Sequence, residues 1–126
     1  MARLALERDP EPGVAQFSGR PLSVLAAAAP HVAMETARAA LDGVLALPPD
    51  DRDLLLATFH AWVECGGSSK AAGALLFCHP NTVRHRLRRI EAGTGRDLKR
   101  PLDVAELVTA ANVWAELPHE NRDRPR

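Results

Sequence analysis

Aromatic side chains are scarce in this chain of 126 residues, which has three Phe, two Trp and no Tyr. A platform that stacks single-stranded bases needs exposed rings interleaved with Arg. Trp62 and Trp114 instead fall on apolar helical stripes, which assigns them to the core and argues against RNA as a ligand. Cysteine is also sparse: Cys65 and Cys78 cannot build a disulfide scaffold, and a reducing compartment leaves both as thiols. Long apolar runs are missing too. The longest, Val24 to Pro30, is far short of the roughly 20 residues that span a bilayer. The amino terminus mixes both charge signs and has no apolar run before a cleavage site, so it does not read as a secretory signal and the expected location is cytoplasmic. At this length there is material for one hydrophobic core, not for a catalytic domain plus a regulatory one. His60, His79, His85, Asp50 and Asp51 could be imagined as acid-base groups. No glycine-rich phosphate loop, G-x-S-x-G or metal-ligand motif accompanies them, so neither an enzyme nor a cofactor is expected.

Net charge is absent as well, 16 basic residues balancing 16 acidic ones, but the balance is not local. Between Asn81 and Arg100 stand seven basic residues, Arg84, Arg86, Arg88, Arg89, Arg96, Lys99 and Arg100, against Glu91 and Asp97. The remaining 9 basic residues face 14 acidic ones, so a block of +5 is offset by −5 elsewhere. Such a block suits a nucleic-acid-binding face, because Lys and Arg neutralise phosphates and release counterions. The plainer reading is a solvated helix face.

The pattern along the chain is helical. Residues 1–20 hold Pro10, Pro12, Gly13 and Gly19 among charges and read as a flexible leader. A short helix is expected from Pro21, closed by Pro30. A second runs over about 31–47, with Met34, Ala37, Leu41, Val44 and Leu45 at spacings of three and four. After Pro48 and Pro49 a third helix opens at Asp50 and Asp51, carries Leu54, Leu55, Thr58, Phe59, Trp62 and Val63 inward, and stops at Gly66-Gly67. Ser68 or Ser69 caps a fourth helix reaching about Phe77, with Ala72, Leu75 and Leu76 on its buried side. Pro80 fits the first turn of a fifth, ended by Gly93 and Gly95. Asp103 is placed to cap a last helix carrying Val104, Leu107, Val108, Ala111, Trp114 and Leu117, and the tail from 118 onward reads as frayed. No run alternates with period two, so the fold class is all-α, a bundle of about six helices over residues 21–117.

Residues 69–87 have the spacing of a helix-turn-helix. Ala72 and Gly73 allow the two helices to approach closely, Leu76 and Cys78 bury beneath the turn, and Val83 and Leu87 anchor the second helix. At about 100° per residue, Val83, Leu87 and Ile90 share one side of that helix. Asn81, His85, Arg88 and Arg89 fall on the opposite side, with Thr82 and Arg84 at its edges. All six can donate hydrogen bonds to base edges or phosphates. Arg86 lies near the core edge, where a phosphate contact or an internal ion pair suits it better than base reading. A zinc site of Cys65, Cys78, His79 and His85 is disfavoured, since neither C-x-x-C nor H-x-x-x-H spacing occurs and the helical geometry points Cys78 in and His85 out.

The run His79-Pro80-Asn81-Thr82-Val83-Arg84-His85-Arg86-Leu87 followed by Thr94-Gly95-Arg96-Asp97-Leu98 resembles the carboxy-terminal helix-turn-helix domain of PucR-type transcriptional regulators. The helix pair is similar to that of Fis-type DNA-binding proteins. With Arg20 to Leu25 and Leu45 to Pro48 as run-in, the resemblance extends over about residues 20–117. It implies sequence-specific binding of double-stranded DNA by His79, Asn81, Thr82, Arg84, His85 and Arg88, to which the wheel adds Arg89. Two departures stand out: His85 occupies a position where family members often have Tyr, and Phe77 stands where many helix-turn-helix turns have glycine. PucR-type regulators usually carry this domain behind a long sensory region, so a stand-alone domain, a truncated product or an excised piece is expected here. A competing expectation is a helical adaptor whose basic face docks an acidic protein. The Ala-, Leu- and Val-rich helices between 21 and 47 are the expected contact of a homodimer, unless they wrap back onto their own helix-turn-helix.

Overall fold

A computed structural model of the chain describes residues 20–116. The leader expected over 1–20 lies almost entirely outside the described residues, as do Leu117 and the expected tail. Among the described residues seven helices follow one another: α1 (Arg20–Ala28), α2 (Pro30–Ala40), α3 (Asp42–Leu45), α4 (Pro49–Glu64), α5 (Ser69–Leu76), α6 (Pro80–Thr94) and α7 (Pro101–Glu116). No strand occurs among the described residues, so the all-α fold holds.

The first half corrects two boundaries. α1 stops at Ala28 ahead of Pro30, and Pro30 itself opens α2, one residue before the expected start, because a proline at the first helical position gives up an N–H that has no intrahelical acceptor anyway. The single helix expected over 31–47 is broken at Leu41 (φ −100°, ψ 12°). The break turns α3 onto α6, where Gly43 meets Gly93 so closely that a Cβ on Gly43 would overlap the Gly93 carbonyl. Two helices touch backbone to backbone at this point, and glycine is what the contact requires.

Around this contact α1 and α2 pack on α7, α3 packs on α6, and α4 contacts α3, α5, α6 and α7. The core joins Leu41 and Val44 to Leu55, Phe59, Val83, Ile90, Leu107 and Trp114, all at most 5% exposed. Trp114 is held between two cations, the guanidinium groups of Arg38 and Arg52 each lying 5.4 Å from its ring centroid, which ties α2, α4 and α7 together. Trp62 is half-buried and stacks on Phe59 with centroids 6.1 Å apart. Thr58 is fully buried and polar. Its hydroxyl donates to the Leu54 carbonyl at 2.8 Å and accepts from Arg86 Nη1 at 3.3 Å, so it has partners on both sides.

Other inward expectations are corrected. Leu54 and Leu75 are exposed, and Leu76 and Cys78 are half-buried rather than enclosed. In α7 the buried residues are Leu107, Ala110, Val113 and Trp114, while Val104, Val108 and Ala111 are half-buried on the flank. Asp103 lies in the first turn of α7, which begins at Pro101, rather than at its cap; its Oδ2 accepts the Asp97 N–H at 2.9 Å and braces the preceding loop.

Candidate nucleic-acid interface

The helix pair α5–α6 is defined at both ends by its own side chains and backbone. Ser68 is the cap of α5, its Oγ accepting the Ala71 N–H at 3.0 Å. At the other end Phe77 takes left-handed backbone angles (φ 59°, ψ 44°). Its N–H reaches the Ala74 carbonyl and the Cys78 N–H reaches the Gly73 carbonyl at 2.9 Å, the pairing of a Schellman turn. Gly73 is the price of that tightness: a Cβ there would stand 2.6 Å from the Cys78 oxygen. His79 then caps α6, with Nδ1 accepting the Asn81 N–H at 2.9 Å, and Pro80 fills the first helical position. With Nδ1 engaged as an acceptor, Nε2 is the nitrogen His79 can present as a donor.

Val83, Leu87 and Ile90 are buried and form the inner face of α6. Asn81, Arg84, His85, Arg88 and Arg89 are exposed, as is His79, while Thr82 is half-buried. The candidate residues thus share one outer surface running from the turn along α6, with Asn81 Oδ1 accepting from Arg84 Nη1. Arg86 stands apart: half-buried, it hydrogen-bonds Thr58 across to α4, so its partner is a neutral hydroxyl rather than the anion expected.

The basic block also divides by role. Arg96 is tied to Glu106 at 2.9 Å and to the Thr94 carbonyl at 3.2 Å. Arg96 and Arg86 therefore brace the fold, and Arg84, Arg88, Arg89, Lys99 and Arg100 are left exposed. Among the described residues the acidic members, Glu91 and Asp97, form no ion pair with them. Glu91 accepts the Leu98 N–H at 2.8 Å and Asp97 the Lys99 N–H at 2.8 Å, holding the loop that follows α6. Among the described residues, Arg88 and Arg89 make no ion pair. From Cys65 to Ile90 the sequence has no Asp or Glu at all. Charge counting along the sequence could not separate bracing from free arginines, because that depends on Thr58 and Glu106, which other helices bring to Arg86 and Arg96. No three His, Cys, Asp or Glu side chains converge as a metal site among the described residues, and none of the described helices is long and apolar enough to cross a membrane.

The chain is similar to uncharacterized proteins of Mycobacterium bovis and Mycobacterium tuberculosis, with 49% identity over 59 residues, 47% of this chain. The matched stretch is 14% of the length of each of those relatives. No solved structure matches the chain. The family model of the PucR C-terminal helix-turn-helix domain matches residues 55–113, the stretch that runs from inside α4 through α5 and α6 to the end of the α7 core. Residues 55–113 are therefore a helix-turn-helix domain of the PucR C-terminal family.

Proposed function

We propose that this chain binds double-stranded DNA sequence-specifically and serves as the DNA-reading part of a cytoplasmic transcription regulator, with α6 entering the major groove. The outer surface of α6 carries the reading: Asn81, Arg84, His85, Arg88 and Arg89 are exposed on a stretch without acidic residues. Asn81 and Thr82, in the first turn, are the side chains that reach base edges. Arg84 and Arg88 are long enough for a base edge or a phosphate, and Arg89 and His79 contact phosphates. The activity is binding, with no catalytic step and no cofactor.

A single recognition helix reads about one half-site, so regulation by one module calls for a second copy. Part of the surface offered for that contact by the sequence is spent internally, since Met34, Ala37, Ala40, Leu41 and Val44 are buried in the chain's own core. What is left is a groove of about 710 Å³ between α1, α2 and α7, lined by Leu25, Ala29, Val32 and Ala33 among others. Val24, Leu25 and Val32 are all more than half exposed. A second copy of this chain covering that groove would remove the apolar surface from water.

Selection of bound duplexes from a random pool by the 126-residue chain tests the proposal. It should enrich one sequence, arranged as an inverted repeat. A pool that stays random after repeated rounds, with an acidic protein bound in its place, would favour the adaptor reading instead.

A further inference from the structure

Phe77 is the most exposed large hydrophobic residue among those described, at 95%. It is also the sole non-glycine residue with positive φ among the described residues. Each property is unfavourable by itself. A bulky side chain in the left-handed region is strained, and glycine holds the same position in a Schellman turn without strain. An aromatic ring in water gains nothing from folding. Among the described residues nothing offsets either cost, because a ring this exposed packs on no part of the core. The turn itself explains only the backbone angles, and glycine would serve it better.

The position of the ring points to a use. Phe77 precedes the His79 cap by two residues and Asn81 by four, so it projects from the turn that presents the start of α6. It sits inside the stretch from Cys65 to Ile90 that has no Asp or Glu. The surroundings therefore favour a polyanion. A duplex is a polyanion that also offers apolar surface of two kinds, the faces of the deoxyriboses and the methyl groups of thymine.

We propose that Phe77 is a DNA-contact residue, its ring packing on apolar surface of the duplex beside the first turn of α6. This rests on the DNA-binding reading above. The contact is uncharged, so it adds affinity without releasing counterions, unlike the arginines of α6.

Three variants of the full chain, Phe77→Gly, Phe77→Ala and Phe77→Tyr, are compared with the parent in thermal unfolding and in binding of the selected duplex across a salt series. Phe77→Gly should melt roughly 3 to 8 °C higher than the parent, as the backbone strain is relieved. Both Phe77→Gly and Phe77→Ala should bind the duplex about tenfold more weakly, with the salt slope unchanged, and Phe77→Tyr should bind within about twofold of the parent because its ring keeps the same apolar faces. Replacing thymine by uracil in the duplex sorts the source: a loss that Phe77→Ala no longer shows assigns the ring to a thymine methyl, and no loss assigns it to deoxyribose. Parent-like affinity in Phe77→Ala would overturn the contact while leaving DNA binding standing. A parent chain that binds no duplex would overturn both.

Discussion

The α5–α6 pair and the α1–α2 layer are both helical, yet they expose opposite chemistry. On α6 the exposed side chains are Asn, His and Arg, both ends are capped by the chain's own groups, and Val83, Leu87 and Ile90 fill the inner face. On α1 and α2 the exposed side chains include Val24, Leu25 and Val32, neither cap position of α2 provides a side-chain hydrogen bond, and alanines line an open groove. The first surface is stable in water and gains by meeting a polyanion. The second is unfavourable in water and gains by being covered. The two regions therefore call for different partners, and the short helix α3, seated glycine on glycine against α6, joins them into one body.

The strongest way to break this contrast is from inside. Leu87→Ala removes a buried anchor of α6 and should cost about 2 to 5 kcal/mol of stability by leaving a cavity. Denaturant unfolding measures it; a variant as stable as the parent would mean that the inner face is misassigned. On the outer face the effect should move from folding to binding. Arg84→Ala or Arg88→Ala should weaken duplex binding by about 1 to 3 kcal/mol and lower the salt slope by about 1, with melting unchanged. Titration of labelled duplex alongside thermal unfolding separates the two, and a drop in melting temperature without loss of affinity would reverse the assignment. The smallest expected energetic effect is at the groove. Leu25→Glu with Val32→Glu alters exposed positions, so each should shift stability by no more than about 0.5 kcal/mol. Light scattering over a dilution series should then give a dimeric mass for the parent at tens of micromolar and a monomeric one for the variant; two equal masses would remove the groove from the assembly.

The helix-turn-helix was legible in the sequence because its signals are local. Ser68 before Ala71, Gly67 before the cap, Pro80 after His79 and the spacing of Val83, Leu87 and Ile90 each act within a few residues. The features that were not legible depend on distant partners. Leu41 breaks a helix that its own neighbourhood would continue, because Gly43 has to meet Gly93 some fifty residues on. Pro30 both ends α1 and begins α2, and the apolar run before it signals only the end. Leu75 matches the helical period yet stays exposed. The turn at Phe77 follows immediately, and Ala72 with Gly73 supplies the contact surface of α5. In the basic block, which arginines are free depends on Glu106, a residue of another helix.

The central claim, that the outer face of α6 is a duplex-binding surface, is tested most directly by titrating the 126-residue chain into a labelled duplex of mixed sequence at a series of salt concentrations. Arg84, Arg88, Arg89, Lys99 and Arg100 are exposed, and each phosphate neutralised contributes about −0.9 to the slope of log K against log salt. A straight line with a slope of roughly −3 to −5 per bound chain is expected. A slope near zero, or no binding at the lowest salt, would contradict it.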